Sequence, residues 1–330
     1  MKIVFRGDAS THIGTGHISR LSAIAEEAIS RGHECIFVGE INGPQWLIKK
    51  ITNMGFSKYL TDLRFNEINT KDCVLIIDSY HIPVGNSFIK RDRWKYVVNI
   101  ADSETPNYGC DLIIHPALDK FETYADNQSV LWGGQYLLIR KSLKSIYQYR
   151  LNNVNKSTIL VTGGGTDPYR FCKEIYTIIR NFELSYNVVF ISNDEFLLGE
   201  SIKKSFPSNF RVIPIGTEFE NALKEAKLAI CPASTTSIEM VAIGIPTAIA
   251  CTARNQESYY KYLTSNDICS PIGYLDQSLN WRLDSGNLSR FITGKITNEE
   301  INISKIAGID FKGAERILDK IEEDLNFENN

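Results

Sequence analysis

The stretch Lys2-Ile3-Val4-Phe5-Arg6-Gly7-Asp8-Ala9-Ser10-Thr11-His12-Ile13-Gly14-Thr15-Gly16-His17 decides how the chain is read. Lys2–Phe5 is a short β-branched and aromatic run, the pattern of a buried strand. It runs into a loop that carries glycines. The segment after that loop, Ser19–Arg31, repeats apolar residues at helical spacing, with Leu21, Ile24, Ala25, Ala28 and Ile29 on one face. Gly32 stops the helix, and Glu34–Val38 starts a second strand. Strand, Gly-bearing turn, amphipathic helix and strand make a βαβ unit, the element of parallel sheets covered by helices on both faces.

The alternation continues outward from there. Gln45–Met54 reads as a helix ended by Gly55. Cys73–Asp78 is a strongly apolar strand that ends in an acid, and Tyr96–Ile100 and Leu112–Ile114 are two more strands. The polar, aperiodic stretch Arg150–Lys156 is the best linker. After it the pattern restarts. Strand Thr158–Val161 runs into Gly163-Gly164-Gly165, followed by helix Arg170–Arg180 and strands Asn187–Ile191 and Phe210–Ile213. Helix Phe219–Ala226, strand Leu228–Cys231, helix Ser237–Ile243, the turn Gly244-Ile245-Pro246 and strand Thr247–Ala250 come next. A charged amphipathic helix, Gly313–Leu325, ends the series. The expectation is an α/β protein of two Rossmann-like, doubly wound domains, 1–150 and 151–330, with the final helix free to pack back on the first. Each opens with a strand that enters a Gly-rich loop, and a cleft between the C-terminal edges of the two sheets is where such folds bind ligands.

Size and composition agree with two globular cores. The chain has 330 residues, 43% hydrophobic and 23% charged, and a net charge of -3. That balance supplies no basic footprint, so nucleic-acid binding is not expected. The seven cysteines form no C-x-x-C pair and read as buried, reduced thiols of a cytoplasmic protein. The apolar run at the N-terminus is too short for a signal peptide, and no stretch is long enough to span a membrane. No H-E-x-x-H occurs and no D-x-D is flanked by apolar residues, so no metal ligand set and no cofactor are predicted.

Five segments carry candidate chemistry. In the first, Gly14 and Gly16 let the backbone approach a ligand, and the helix start offers unpaired N–H groups to a phosphate. The third glycine of a dinucleotide fingerprint is missing. His17 can accept a proton there at neutral pH, or serve as a cap or packing residue; Asp8 either orients it or caps the loop. In the second, Asp78-Ser79-Tyr80-His81 ends a buried strand, where Tyr80 can donate to a sugar or a water, or the segment is a plain turn with Asp78 as a helix cap. The third is Gly163-Gly164-Gly165-Thr166-Asp167-Pro168, whose Gly164, Gly165 and Thr166 suit a phosphate or sugar, with Thr166 or Asp167 as cap of the next helix. The fourth, Ser234-Thr235-Thr236-Ser237-Ile238-Glu239, sets small hydroxyls at a helix start and Glu239 one turn in, placed for a ribose diol or for a surface role. The fifth is Asn255-Gln256, two amides after a strand, suited to sugar hydroxyls or phosphate oxygens.

Taken in order, these segments resemble the UDP-2,4-diacetamido-2,4,6-trideoxy-β-L-altropyranose hydrolase family of pseudaminic acid biosynthesis, one of the GT-B nucleotide-sugar enzymes and related to MurG and to a spore-coat polysaccharide protein. Arg6 through His17, with Arg20, matches the family's R-x-D-x-S…I-G-x-G-H-x-x-R. Asp78-Ser79-Tyr80 is similar to its D-x-Y, Cys110-Asp111-Leu112 to its C-D-L, Tyr136–Arg140 to its Y-x-L-L-R, Asn255-Gln256 to its N-Q and Gly313-Ala314-Glu315-Arg316 to its G-A-x-R. Two stretches depart from the pattern. Ser234–Glu239 lacks the family's leading glycine and its tryptophan, and Ile100-Ala101-Asp102-Ser103 lacks its pair of acids.

The resemblance implies a GT-B fold and metal-independent hydrolysis of a UDP-linked diacetamido sugar to UDP and free sugar, with inversion. His17 would act as base on a water held with Tyr80. Ser234–Ser237, Gly163–Thr166 and Asn255 would hold the diphosphate, Glu239 the ribose, and the backbone near Ile213–Thr217 the uracil. A glycosyltransferase of the same fold is the main rival, since only the acceptor differs. A non-catalytic nucleotide-sugar-binding subunit is the second. The partners implied are the UDP-sugar and other enzymes of the pathway.

Overall fold

The computed structural model describes residues 1–10, 15–42, 45–61, 68–83, 85–101, 105–106, 108–116, 118, 129–153, 156–215, 218–294 and 308–327. The chain divides into two compact units, Met1–Lys141 with Ala307–Asn330, and Ser142–Ile306.

The first unit opens with β1 (Lys2–Gly7), β2 (Ala9–Ser10), α1 (Gly16–Ser30), β3 (Glu34–Val38), β4 (Ile41–Asn42), α2 (Gln45–Thr52) and β5 (Lys58–Leu60). It continues with β6 (Cys73–Asp78), β7 (Tyr96–Ile100), β8 (Leu112–Ile114) and β9 (Ser129–Leu131). Seven of these strands form one parallel sheet in the order β5-β3-β1-β6-β7-β8-β9, and β2 pairs with β4 in a short separate ladder. Near-continuous β-branched sequence fits strands covered on both faces. Ile3, Phe5, Val74 and Ile76 belong to the core beneath α1, whereas Val4, Ile36, Leu75 and Val97 belong to the core on the other face. The strand order reverses between β1 and β6, which are in register from Lys2↔Cys73 to Gly7↔Asp78. Such a reversal opens a crevice at the C-terminal strand ends.

α1 starts at Gly16, ahead of the apolar repeat that marks it in the sequence. In the first turn the buried apolar Ile18 stands between the polar His17, Ser19 and Arg20, which breaks the pattern, and His17 lies inside the helix and not in the loop before it. Gly14 falls outside the described residues, as do Asp102, Ser103 and Thr217.

The second unit begins with a helix that the sequence does not mark, α3 (Ser142–Asn152). β10 (Thr158–Thr162), α4 (Phe171–Ile179), β11 (Asn187–Ile191), α5 (Glu195–Leu198), α6 (Glu200–Lys203), β12 (Phe210–Ile213), α7 (Phe219–Glu225), β13 (Ala226–Pro232), α8 (Thr235–Ala242) and β14 (Thr247–Cys251) follow. α9 (Glu257–Ser265), β15 (Ser270–Leu275), β16 (Trp281–Leu283) and α10 (Ser285–Ile292) complete it. The sheet order is β12-β11-β10-β13-β14-β15-β16, parallel except for the hairpin strand β16. Here the reversal lies between β10 and β13.

Arg150 is not a linker residue. It sits on α3, 3% exposed, and its guanidinium donates to the carbonyls of Ile243 (3.0 Å), Leu223 (2.8 Å) and Ala226 (2.7 Å). It thereby satisfies carbonyls at the C-terminal ends of α7 and α8, the partial negative ends of both helices. Burial holds its pKa down at about 10.

The last helix, α11 (Gly313–Phe327), belongs to the first unit. Ile317, Leu318, Ile321 and Leu325 form its buried stripe and join the core beneath α1. Arg31 reaches Asp319 at 2.8 Å and Glu322 at 3.1 Å, and His33 reaches Glu322 at 2.8 Å. Gly313 is required at its start, because a Cβ there would stand 2.2 Å from the Leu137 carbonyl oxygen.

Candidate functional site

In the first unit the crevice between β1 and β6 is occupied by the start of α1. His17, 4% exposed, directs Nδ1 at Oδ1 of Asp78, the last residue of β6 and 1% exposed. Arg20, one turn further along α1, donates from Nε to Asp78 Oδ2 at 2.7 Å and from Nη2 to Oδ1 at 2.8 Å. The same Nη2 lies 3.0 Å from His17 Nδ1. The carboxylate fixes the tautomer. Asp78, held charged, can only accept, so Nδ1 carries the proton and gives it to Asp78, while the neighbouring Arg20 Nη2 donates to that same carboxylate. The lone pair is then on Nε2, which takes no hydrogen bond among the described residues. The Tyr80 ring stands edge-on to the imidazole, with centroids 4.6 Å apart at 76°. Burial works against the charge on Asp78, but Arg20 and then His17 outweigh it and hold the carboxyl below the usual carboxylate range.

Local sequence explains the convergence. His17 and Arg20 are three apart on a helix and share a face. Asp78 follows four buried apolar residues, so the sheet delivers it, charged, to the crevice edge. Of the two roles left open for Asp8, the structure shows the loop one. Its Oδ1 accepts from the Glu40 amide at 2.9 Å and pairs with Arg6 at 2.8 Å, which leaves orientation of His17 to Asp78. Arg20, which the resemblance places among the substrate-binding residues, donates here to Asp78. Asp78 was legible only as a strand-end acid, because its partner on α1 is 61 residues away.

In the second unit the crevice between β10 and β13 collects a different chemistry. Thr162 Oγ1 accepts from the Gly164 amide at 3.2 Å. Gly164 has φ 89°, a left-handed conformation natural to glycine, and a Cβ there would lie 3.7 Å from Thr236 Oγ1. The Gly163–Thr166 loop and the α8 start are therefore neighbours. Ser234 caps α8, accepting from the Thr236 amide at 3.3 Å. Ser234, Thr235 and Thr236 stay half-buried, as do Gly164, Gly165 and Thr166. Two predicted contacts change. Ser237 is buried and spends its hydroxyl on the Ser234 carbonyl at 2.7 Å. Gln256 spends its carbonyl on the Thr252 amide (3.0 Å) and hydroxyl (2.9 Å), closing the turn after β14. Glu239 is 5% exposed, on the buried side of α8 and not on its surface. Asn255 lies half-buried in the short 3₁₀ turn Arg254–Gln256.

Asp167, and not Thr166, caps α4, accepting from the amides of Phe171 (2.7 Å) and Cys172 (3.1 Å). Burial pushes its pKa up, against the pull of those amides. Among the described residues no three His, Cys, Asp or Glu side chains gather as a metal set, and no helix is long and apolar enough to cross a membrane.

No protein-family profile matches the chain. It is 25% identical over 270 residues to an uncharacterised protein of Methanocaldococcus jannaschii, covering 76% of this chain and 55% of that one, so it spans about half of that relative. It is 22% identical over 276 residues to the UDP-2,4-diacetamido-2,4,6-trideoxy-β-L-altropyranose hydrolase of Campylobacter jejuni, covering 80% of this chain and 96% of that enzyme. The crystal structure of MurG from Acinetobacter baumannii superposes with a TM-score of 0.62 at 14% identity, covering 98% of this chain and all of that one. Glycosyltransferases are among the other solved structures of this shape. The fold is GT-B, as the sequence leads one to expect.

Proposed function

We propose that the chain hydrolyses a UDP-linked diacetamido-trideoxy sugar to UDP and the free sugar, within the assembly of a nonulosonic acid or a related surface glycan. One observation carries the chemistry: a buried histidine at the crevice of the first unit has Nδ1 committed to Asp78 and keeps Nε2 for a reactant. The sugar is carried over from the Campylobacter relative. In the reaction a water gives its proton to His17 Nε2 as its oxygen bonds to the anomeric carbon. The bond from that carbon to the β-phosphate oxygen breaks, and UDP leaves with the electron pair. A single displacement inverts the anomeric centre. Asp78 holds the ring in the productive tautomer and faces the imidazolium as it forms. Tyr80 positions the water. Gly16 gives the sugar room.

We assign the diphosphate to the second unit, to the amides and hydroxyls of Ser234–Thr236 and of the Gly164–Thr166 loop, assisted by Asn255. Glu239 is assigned to the ribose and the backbone at Ile213–Ile215 to the uracil. All seven cysteines are free, which suits a reducing compartment, and we place the reaction in the cytoplasm.

Glycosyl transfer is the second reading, favoured by the glycosyltransferases that share the fold. Incubation with the UDP-diacetamido sugar and no acceptor separates the two. Release of UDP and free sugar in equal amounts is expected. Release that starts only when an acceptor sugar or lipid is added would replace hydrolysis by transfer.

A further inference from the structure

The first-unit cluster has a property that neither the resemblance nor the proposed reaction assigns, which is its charge count. His17, Arg20 and Asp78 are all at least nine-tenths buried. A proton-accepting His17 is neutral, so the cluster is Arg20 plus one, Asp78 minus one and His17 zero. It is neutral while the base is ready to act. A buried group of charges favours the protonation state that brings its sum to zero.

We propose that Arg20 is a positioning residue of the base. It balances the charge of Asp78 so that the carboxylate orients the ring without holding a second proton on it. The inference rests on His17 as the base. The geometry supports it in two ways. Arg20 engages both oxygens of Asp78, at 2.7 and 2.8 Å, so its positive charge faces the whole carboxylate, including the oxygen that takes the His17 proton. It also brings positive charge within 3.0 Å of Nδ1, where a doubly protonated ring would meet it. A carboxylate facing a histidine alone would have the opposite effect, favouring an ion pair in which the base is already protonated. Among the described residues, the groups facing the ring include Arg20 from its own helix, Asp78 from β6 and Tyr80 from the turn after β6, with His81 behind Tyr80 at a ring distance of 6.4 Å. Asp8, between β1 and β2, is turned to Arg6 and the Glu40 amide.

The test removes and restores the balance. Arg20→Met leaves the pair one proton short of neutrality, so it takes one up on the ring or on the carboxyl. The acid limb of kcat/KM against pH should move up by at least about one unit, a tenfold loss at a pH on that limb, with recovery at higher pH. Arg20→Lys keeps the charge and should keep the limb. Asp78→Asn adds net positive charge and should move the limb the other way. The double variant Arg20→Met/Asp78→Asn is neutral again and should return the limb towards that of the unmodified protein while kcat stays low. The same shifts should appear in the titration of His17 followed by nitrogen NMR of histidine-labelled protein, assigned with His17→Gln. That measurement needs no substrate, so it separates failure of this proposal from failure of the hydrolase reading. A purely structural Arg20 predicts an equal loss at every pH and an unmoved His17 titration. Either that result, or an Arg20→Lys limb displaced as far as that of Arg20→Met, overturns the proposal. Should Arg20→Met not fold, Arg20→Gln removes the same charge with a polar side chain, and an unmoved His17 titration in it overturns the proposal equally.

Discussion

Asp78 and Asp167 are both buried carboxylates near the strand-order reversal of their own sheet, and their surroundings drive them in opposite directions. Asp78 meets a guanidinium and an imidazole; Asp167 meets the backbone amides of Phe171 and Cys172, with the Cys172 thiol and the like charge of Asp194 nearby. Burial opposes charge in both. At Asp78 the ionic partners win and the charged form is favoured, whereas at Asp167 burial wins and the charged form is disfavoured. The difference agrees with the division of work proposed for the two units. The first gathers fixed charge around an imidazole, which suits proton transfer. The second offers amides and hydroxyls, and a strongly charged carboxylate would be a poor neighbour for the diphosphate proposed to bind there.

The largest expected effect tests the first half of that contrast. His17→Ala should lower kcat by about 10³-fold or more, while UDP affinity measured by calorimetry stays within about twofold. Turnover near that of the unmodified protein would take His17 out of the mechanism. Next comes Asp78→Ala. It leaves Arg20 buried opposite no carboxylate, and urea unfolding should show a loss of about 3 kcal/mol. A loss under about 1 kcal/mol would mean that the cluster is wetter, and its charges cheaper, than its burial indicates.

Much of this was legible in the sequence because parallel sheets announce themselves. Runs such as Val74–Ile77 and Val188–Ile191 are apolar throughout, and only a strand covered on both faces needs that. α3 was missed because its pattern is dominated by Ser, Lys, Gln and Tyr, with Leu143 and Ile146 as its buried apolar pair, and because Arg150 reads as a solvated charge unless the carbonyls it serves are in view. At the site, His17 was legible from the glycines before it. The partnership with Asp78 was not, since local spacing cannot show that two loop-flanking residues meet across adjacent strands. The hydroxyls of Ser234–Ser237 looked equivalent in sequence, but helix geometry divides them: Ser234 caps, Ser237 turns inward to a carbonyl, and Thr235 and Thr236 remain half-buried.

Two substitutions probe the second unit with smaller effects. Gly164→Ala imposes a side chain on φ 89° beside Thr236, and should cost about 1 kcal/mol in stability and weaken UDP binding. Ser234→Ala removes the α8 cap, with a cost of about 1 kcal/mol or less and a few-fold loss of UDP affinity. Unchanged affinity in both would move the nucleotide away from this crevice.

The smallest change in stability is expected from Asp167→Asn, and its sign is informative. Asparagine keeps one acceptor for the Phe171 amide, loses the second bond to Cys172, and relieves the buried charge, so the net effect at neutral pH should lie within about 1 kcal/mol of zero. Its pH dependence should oppose that of Asp78→Asn. The folded pKa of Asp78 is lowered, so its contribution is present above the usual carboxylate range and is lost as pH falls through and below it. The folded pKa of Asp167 is raised, so the folded state binds that proton more tightly, and its contribution is fully present in acid and lost as pH rises through the raised value. Urea unfolding between about pH 3 and 6 should therefore show the unmodified protein gaining on Asp78→Asn as pH rises and losing ground to Asp167→Asn over the same interval. Parallel slopes would mean that the two crevices treat a carboxylate alike, and the division of charge between the units would fall with them.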